Sequence, residues 1–271
     1  MKGKASAASA LRQLFRKKLG LALGGGGARG LAHIGVLKVL EEEGLRADFV
    51  AGTSVGSLIG ALYCCGYGWR ELAELARSTN WKDLVAFTVP RMGLVKARKL
   101  ERLVDRLAGG KAFEELLIPF RAVAVDITAG EEVVLSSGPV SRAVRASASI
   151  PVIFEPTRWE GRLLVDGGLL DDVPSGVARE MGADVVVGVN LSGERARSKP
   201  PENIVDVMIY TLATLVYGQA QRGEAAADVP VVPDLAGFSY RSLNRLEEMV
   251  KRGEAAMRAA LPALLRRLRR A

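Results

Sequence analysis

Histidine occurs once in this chain of 271 residues, cysteine twice, and aromatic residues make up 6%. Acidic residues are outnumbered too, 30 against 38 Lys and Arg, which leaves a net charge of +8 at pH 7 and a pI of about 9.7. Each scarcity excludes something. Cys64 and Cys65 are neighbours and cannot staple distant segments, so buried, inert thiols are expected. No apolar run reaches the roughly 18 residues that span a bilayer. Met1 to Lys18 is basic, with scattered Ala and Ser but no continuous apolar core. It makes a poor signal peptide, and the chain is expected in the cytoplasm. The low aromatic content, with no recognised binding motif, argues against nucleic acid as the anionic partner.

Hydrophobic residues at 49% and charged residues at 25% are ordinary for a globular protein. The length suits one α/β domain with a large core. Positive charge gathers at the two ends, in Arg12, Arg16, Lys17 and Lys18 and in Arg266, Arg267, Arg269 and Arg270, with leucines between the charges. Basic amphipathic segments suit the surface of an anionic membrane; a solvated terminus is the alternative. The expected organisation is a basic tail over 1–18, one catalytic domain over 19–260 and a basic tail over 261–271.

The stretch around Ser54 organises the rest. Phe49-Val50-Ala51 reads as a strand and Ser57 to Tyr63 as a helix, with Gly52-Thr53-Ser54-Val55-Gly56 between them. That is G-x-S-x-G in strand–turn–helix context. The tight turn pushes the serine toward strained dihedrals, and glycines on either side let strand and helix pass close by. The hydroxyl then stands at a helix N-terminus, where peptide dipoles favour negative charge. Small residues that merely link a strand to a buried helix would look the same.

Leu19–Leu23 reads as a buried strand running into Gly24-Gly25-Gly26-Gly27-Ala28-Arg29-Gly30 and then a helix from Leu31 to Glu43, stopped by Gly44. Strand, glycine loop, helix, strand opens a parallel α/β sheet. The loop matches a dinucleotide fingerprint, but the second strand ends in Gly52-Thr53-Ser54, without the acidic residue that would hold a ribose. No Gly-Lys-Ser/Thr follows to make a P-loop. The remaining functional reading is an oxyanion hole, with the amides of Gly25, Gly26 and Gly27 aimed at one spot. Arg29 beside them suits either an anionic substrate or the holding of the loop.

A third stretch, Arg162 to Gly168, is a strand ending in Asp166 before two glycines. Such a carboxylate faces the crevice at the end of the sheet. Further strands are expected at Phe120–Asp126, Glu132–Ser136, Asp184–Asn190 and Val229–Val232. Further helices are expected at Arg70–Ser78, Lys96–Leu107, Ser141–Ala148, Pro174–Met181, Ile204–Gly223 and Leu243–Ala260. Asn80–Met92 is irregular and suits a flap over the site as well as it suits surface packing.

The single histidine, His33, precedes Ser54, which breaks the Ser, Asp, His order of α/β-hydrolases. It lies among Leu31, Ile34 and Leu37 and reads as a packed core residue. A carboxylate is then the natural base for Ser54, desolvated so that its pKa approaches neutrality. Asp126 and Asp166 both end strands; Asp166 is preferred, because Gly167-Gly168 behind it leaves room for substrate.

The glycine loop Gly25 to Gly30, the elbow Gly52 to Gly56 and Asp166-Gly167-Gly168 together resemble the patatin-like phospholipase family. Ala148-Ser149-Ile150-Pro151-Val152-Ile153-Phe154 resembles the segment that precedes the aspartate there. The resemblance spans Leu19 to about Asn190. It implies a three-layer α/β/α fold with a mostly parallel central sheet and a Ser54–Asp166 dyad. It also implies an oxyanion hole at Gly25, Gly26, Gly27 and Arg29, and hydrolysis of phospholipid or other fatty-acyl esters without metal or other cofactor. Acyl transfer by the same serine chemistry, or a lipid-binding regulator that keeps the fold, are the alternatives. The family often carries Asn before the Val-Pro, where this chain has Asp171-Asp172-Val173-Pro174. A carboxylate there would either hydrogen-bond less well to the loop it supports or raise the pKa of Asp166 by like charge.

Overall fold

The computed structural model describes residues 17–79, 98–193, 200–240 and 244–269. Asn80–Met92, read as either a flap or surface packing, and most of the basic N-terminal tail lie outside them. Eight strands form one sheet: β1 (Leu19–Leu23), β2 (Phe49–Thr53), β3 (Phe120–Asp126), β4 (Glu131–Leu135), β5 (Thr157–Trp159), β6 (Arg162–Asp166), β7 (Val185–Val189) and β8 (Val229–Val231). The helices are α1 (Leu31–Glu42), α2 (Val55–Cys65), α3 (Trp69–Ser78), α4 (Arg98–Ala108), α5 (Val140–Ser147), α6 (Ser175–Glu180), α7 (Ile204–Ala225) and α8 (Leu246–Leu268).

The sheet order is β5-β6-β3-β2-β1-β7-β8, with β4 also paired to β3. From β3 through β2, β1 and β7 to β8 every pairing is parallel. The β3–β4, β3–β6 and β5–β6 pairings are antiparallel. The fold is the expected α/β one, with a mixed, mostly parallel sheet.

Side-chain alternation builds the three layers, because successive residues of a strand face opposite sides of the sheet. Leu19, Leu21 and Leu23 of β1, with Val185, Val187 and Val189 of β7, join the large core beneath α1, α2 and α8. Ala22, Ala51 and Val186 face the other way, against Val177 and Ala178 of α6 and Ala220 of α7. Small residues on that face let the short α6 lie close to the strands. The large face supplies most of the apolar burial, at roughly 25 cal/mol per Å² removed from water.

Two expectations differ from the structure. The region from 261 onward was expected as a basic tail, yet α8 runs through it to Leu268, with Leu264 and Leu268 buried. Leucines spaced four apart face the core, while Arg266 and Arg267 stay on the wet side of the same turns. The strand β5 was not expected at all. It is three residues long and pairs with β6 across a turn at Glu160 and Gly161, both at positive φ (46° and 82°). Positive φ at both central residues is the hairpin geometry that suits twisted strands.

Candidate active site

The site forms where two strands meet end to end along one edge of a third. On β3, Gly52 and Thr53 of β2 stand opposite Ala122 and Val123. The next residue, Ala124, is opposite Asp166 of β6. Strand β4 covers β3 from Ala122 to Asp126 on its other edge, so β2 and β6 share the remaining edge and abut. Parallel β2 thus delivers Ser54, and antiparallel β6 delivers Asp166, to neighbouring rows of the same strand. Gly167 makes the junction possible: a Cβ there would stand 2.3 Å from the Val123 carbonyl oxygen.

Ser54 adopts φ 53° and ψ −122°, a conformation costly for any residue with a Cβ. The strained turn is held on every side. The Ser54 N–H donates to Ser147 Oγ at 2.9 Å, and the Ser54 carbonyl accepts from Ser57 Oγ at 2.6 Å. Gly56 presses so closely on β1 that a Cβ would meet the Leu23 carbonyl oxygen at 2.0 Å. The serine is the N-cap of α2 but spends no side-chain bond on capping. Its side chain lies beside the Asp166 carboxyl, whose charged form it favours.

Asp166 also accepts from the Gly168 N–H at 2.9 Å, and its own N–H donates to the Ser149 carbonyl at 3.0 Å. Burial pushes its carboxyl up to about 6, against the opposing pull of the Ser54 side chain and of the Gly168 N–H. The segment 147–149 therefore grips both members of the pair: Ser147 holds the backbone of Ser54, and Ser149 holds that of Asp166. Residue-by-residue reading missed Ser147, because a serine ending a helix carries no signal of a partner 93 positions away.

The glycine loop lies beside this pair, but its amides are not equivalent. The Gly25 N–H, expected among the oxyanion donors, donates to the Asp172 backbone carbonyl at 3.2 Å, and that of Ala28 donates to Tyr240 at 2.9 Å. The N–H groups of Gly26 and Gly27 have no backbone acceptor among the described residues. Arg29 is almost fully buried and holds the loop. Its Nε donates to the Phe238 carbonyl at 3.0 Å and its Nη1 to Tyr240 Oη at 2.7 Å and the Leu191 carbonyl at 3.4 Å. The guanidinium also stacks over the Tyr240 ring at 3.8 Å.

His33 is fully buried and bonds Gly24 through Nε2 at 2.8 Å. Because a carbonyl oxygen only accepts, Nε2 carries the proton, and Nδ1 is left without a partner. Desolvation lowers its pKa to about 4, so the ring is neutral and steadies the start of the glycine loop. Asp126 caps its own turn, accepting from Thr128 and Ala129. Cys64 is buried and Cys65 half-buried. Among the described residues, no three His, Cys, Asp or Glu side chains group as a metal site, and no helix is long and apolar enough to cross a membrane.

Comparison with known proteins bears on the family and the fold. The Patatin family model, described as patatin-like phospholipase, matches residues 21–179. An NTE family protein of Mycobacterium tuberculosis is 38% identical over 195 residues, covering 71% of this chain and 54% of the relative. Lysophospholipase NTE1 of Coccidioides immitis is 36% identical over 186 residues, covering 66% of this chain and 12% of the relative. The chain thus spans about half the length of the mycobacterial protein and a small part of the fungal one. Among solved structures, VipD from Legionella pneumophila shares the fold, with TM-score 0.56 at 14% identity over 91% of this chain and 67% of that one. The matched span begins inside β1 and runs past the Asp166 turn to α6, so it contains the loop, the elbow and the aspartate in one stretch: the chain belongs to the patatin-like phospholipase family.

Proposed function

We propose that this chain hydrolyses fatty-acyl esters of lipids through Ser54 as nucleophile and Asp166 as its base. The observation that carries the reading is the meeting of β2 and β6 on one edge of β3, which sets the strained Ser54 beside the buried Asp166; burial brings that carboxyl to about 6. Such a group is ionised at neutral pH yet basic enough to take a proton. As Ser54 Oγ attacks the ester carbonyl, its proton passes to Asp166, and the carbonyl oxygen gathers negative charge. The amides of Gly26 and Gly27, with that of Val55 at the start of α2, are the donors for that charge; one such donor is typically worth about 3 kcal/mol in the transition state. Asp166 then gives its proton to the leaving alcohol. In the second half it takes a proton from water, which attacks the acyl-enzyme, and returns that proton to Ser54 Oγ as the fatty acid leaves.

The lysophospholipase relative favours a glycerophospholipid or its lyso form as substrate. Exposed apolar side chains suit approach to a lipid surface. Ile204, Val207, Met208 and Leu215 of α7 and Leu170 just after the Asp166 turn are all exposed. Helix α7 bears directly on the site, since Val216 lies against Gly168. A peripheral place at an anionic membrane, aided by the basic N-terminus, belongs to the same proposal. The test is release of p-nitrophenol from a medium-chain ester. Ser54→Ala should abolish it; an unchanged rate would remove the nucleophile assignment, and product analysis with an added alcohol would distinguish hydrolysis from acyl transfer.

A further inference from the structure

A second carboxyl lies beside Asp166, and the mechanism above makes no use of it. The Asp172 side chain is buried, 1% exposed. Its Oδ1 stands over two glycines of the site: a Cβ added at Gly25 would lie 2.4 Å from it, and one at Gly168 would lie 2.9 Å away. The same point at Gly168 is 3.2 Å from Asp166 Oδ1, so the two carboxyls flank one glycine. The Gly25 N–H donates to the Asp172 backbone carbonyl at 3.2 Å, with Oδ1 close beside Gly25, and Oδ2 has no partner among the described residues.

Among the described residues, no cation balances the pair. The charged groups among the described residues that act on Asp172 are Asp166 from β6 and Asp171 from its own turn, both acids. From α1, His33 is neutral and bonded to Gly24. Arg29 is spent on Leu191, Phe238 and Tyr240. On α7, Glu224 accepts from Asn190. Asp171 is itself raised to about 7 by burial and then by Glu132. Two carboxylates this close in a dry site cannot both stay ionised, and the better-bonded one keeps the charge. Asp166 accepts from the Gly168 N–H at 2.9 Å and has the Ser54 side chain beside it, favouring its charged form. Asp172 has only the nearby Gly25 N–H, which its own backbone carbonyl accepts.

We infer that Asp172 works as a neutral carboxylic acid, a positioning residue that anchors Gly25 at the root of the oxyanion loop and leaves the single negative charge on Asp166. Protonated, it still sets Oδ1 close beside Gly25, whose N–H its backbone carbonyl accepts, so the loop keeps its shape. Once ionised, it places a second negative charge beside the catalytic base and close to where the oxyanion develops. Hydrolysis should therefore fail at alkaline pH as well as at acid pH, with the alkaline limb set by Asp172. Burial and its two acidic neighbours hold that group well above the ordinary carboxyl range.

Infrared titration of the full chain reads the proton directly and needs no turnover. The wild type should show a protonated-carboxyl carbonyl band at neutral pH that is missing in Asp172→Asn. In Asp166→Asn the same band should vanish at lower pH than in the wild type, since the repelling neighbour is gone. The kinetic arm rests on the hydrolase reading. The kcat/KM–pH profile of Asp172→Asn should lose its alkaline limb and keep its acid limb near 6, with neutral-pH turnover within about threefold of wild type, whereas Asp172→Ala should lose turnover. No Asp172-dependent band at neutral pH, or an acid limb that drops by about a pH unit in Asp172→Asn, would show a charged Asp172 and overturn the inference. Absence of Ser54-dependent turnover in the wild type would instead sink the hydrolase reading and leave the infrared result to decide Asp172.

Discussion

Replacing Asp166 by Asn should make the protein more stable at alkaline pH while destroying its turnover. A carboxyl raised from 3.8 to about 6 on folding is one whose ionised form the native state disfavours. The folded chain holds that proton more tightly than the unfolded chain does. Wild-type stability from this group therefore rises as pH falls through about 6 and levels off near 4. A difference of roughly two pKa units is about 3 kcal/mol, present well above pH 6 and absent near pH 4. Asn imitates the neutral acid and is spared that cost. Its amide oxygen keeps the bond from Gly168, while the Ser54 contact becomes one between neutral groups. Urea denaturation at about pH 8 and about pH 4 should show the variant ahead by about 3 kcal/mol in the first case and level in the second. The corresponding gain in Tm is roughly 6–12 °C for a chain of this size. Turnover at neutral pH should fall by about 10²–10⁴-fold, as expected when a general base is removed. A stability difference that does not change with pH, or a variant weaker than wild type at pH 8, would refute the claim that burial of the charge sets this pKa.

Other substitutions separate scaffold from chemistry. His33→Ala removes a buried ring and its bond to Gly24; it should cost about 1–3 kcal/mol in a denaturant melt, and the acid limb near 6 should remain in the surviving activity. Because the folded His33 is depressed to about 4, the wild type also loses stability as pH falls from 6.5 toward 4, and that loss should disappear in the variant. Gly56→Ala forces a methyl into the Leu23 carbonyl of the elbow and should cost at least 1–3 kcal/mol, by the same melt, with loss of turnover. Arg29→Lys cannot reproduce the fork to Phe238, Leu191 and Tyr240; it should lower kcat through a loosened glycine loop, read from esterase kinetics, with substrate chain-length preference unchanged.

Much of the fold was legible because its signals are local. β1, β3 and β6 have the bounds that apolar runs and turn residues suggest, and α3 and α7 agree to within two residues. Ser54 carries its own evidence, since glycines at fixed spacing around a strand–helix turn are dictated by the turn itself. Asp166 is half legible. The strand end and the two glycines are in the sequence, but the antiparallel course of β6, which brings that end head-on to β2, depends on β3 and β4 far away. β5 escaped notice because Glu160-Gly161 is an unusual hairpin pair and three residues give no alternation to read. The role of Gly25 was misjudged for a similar reason. A run of equivalent glycines cannot show which amide the Asp172 carbonyl has already taken. The end of α8 looked like a solvated tail because arginines dominate its composition, while two buried leucines decide its place.

The central claim is that Ser54 is a working nucleophile activated by Asp166. Incubation with a fluorophosphonate probe, followed by peptide mass spectrometry, tests it most directly. The account predicts one adduct on Ser54 in the wild type, none in Ser54→Ala, and much slower labelling in Asp166→Asn. An unlabelled Ser54 in the folded wild type, or labelling at full rate without Asp166, would contradict it.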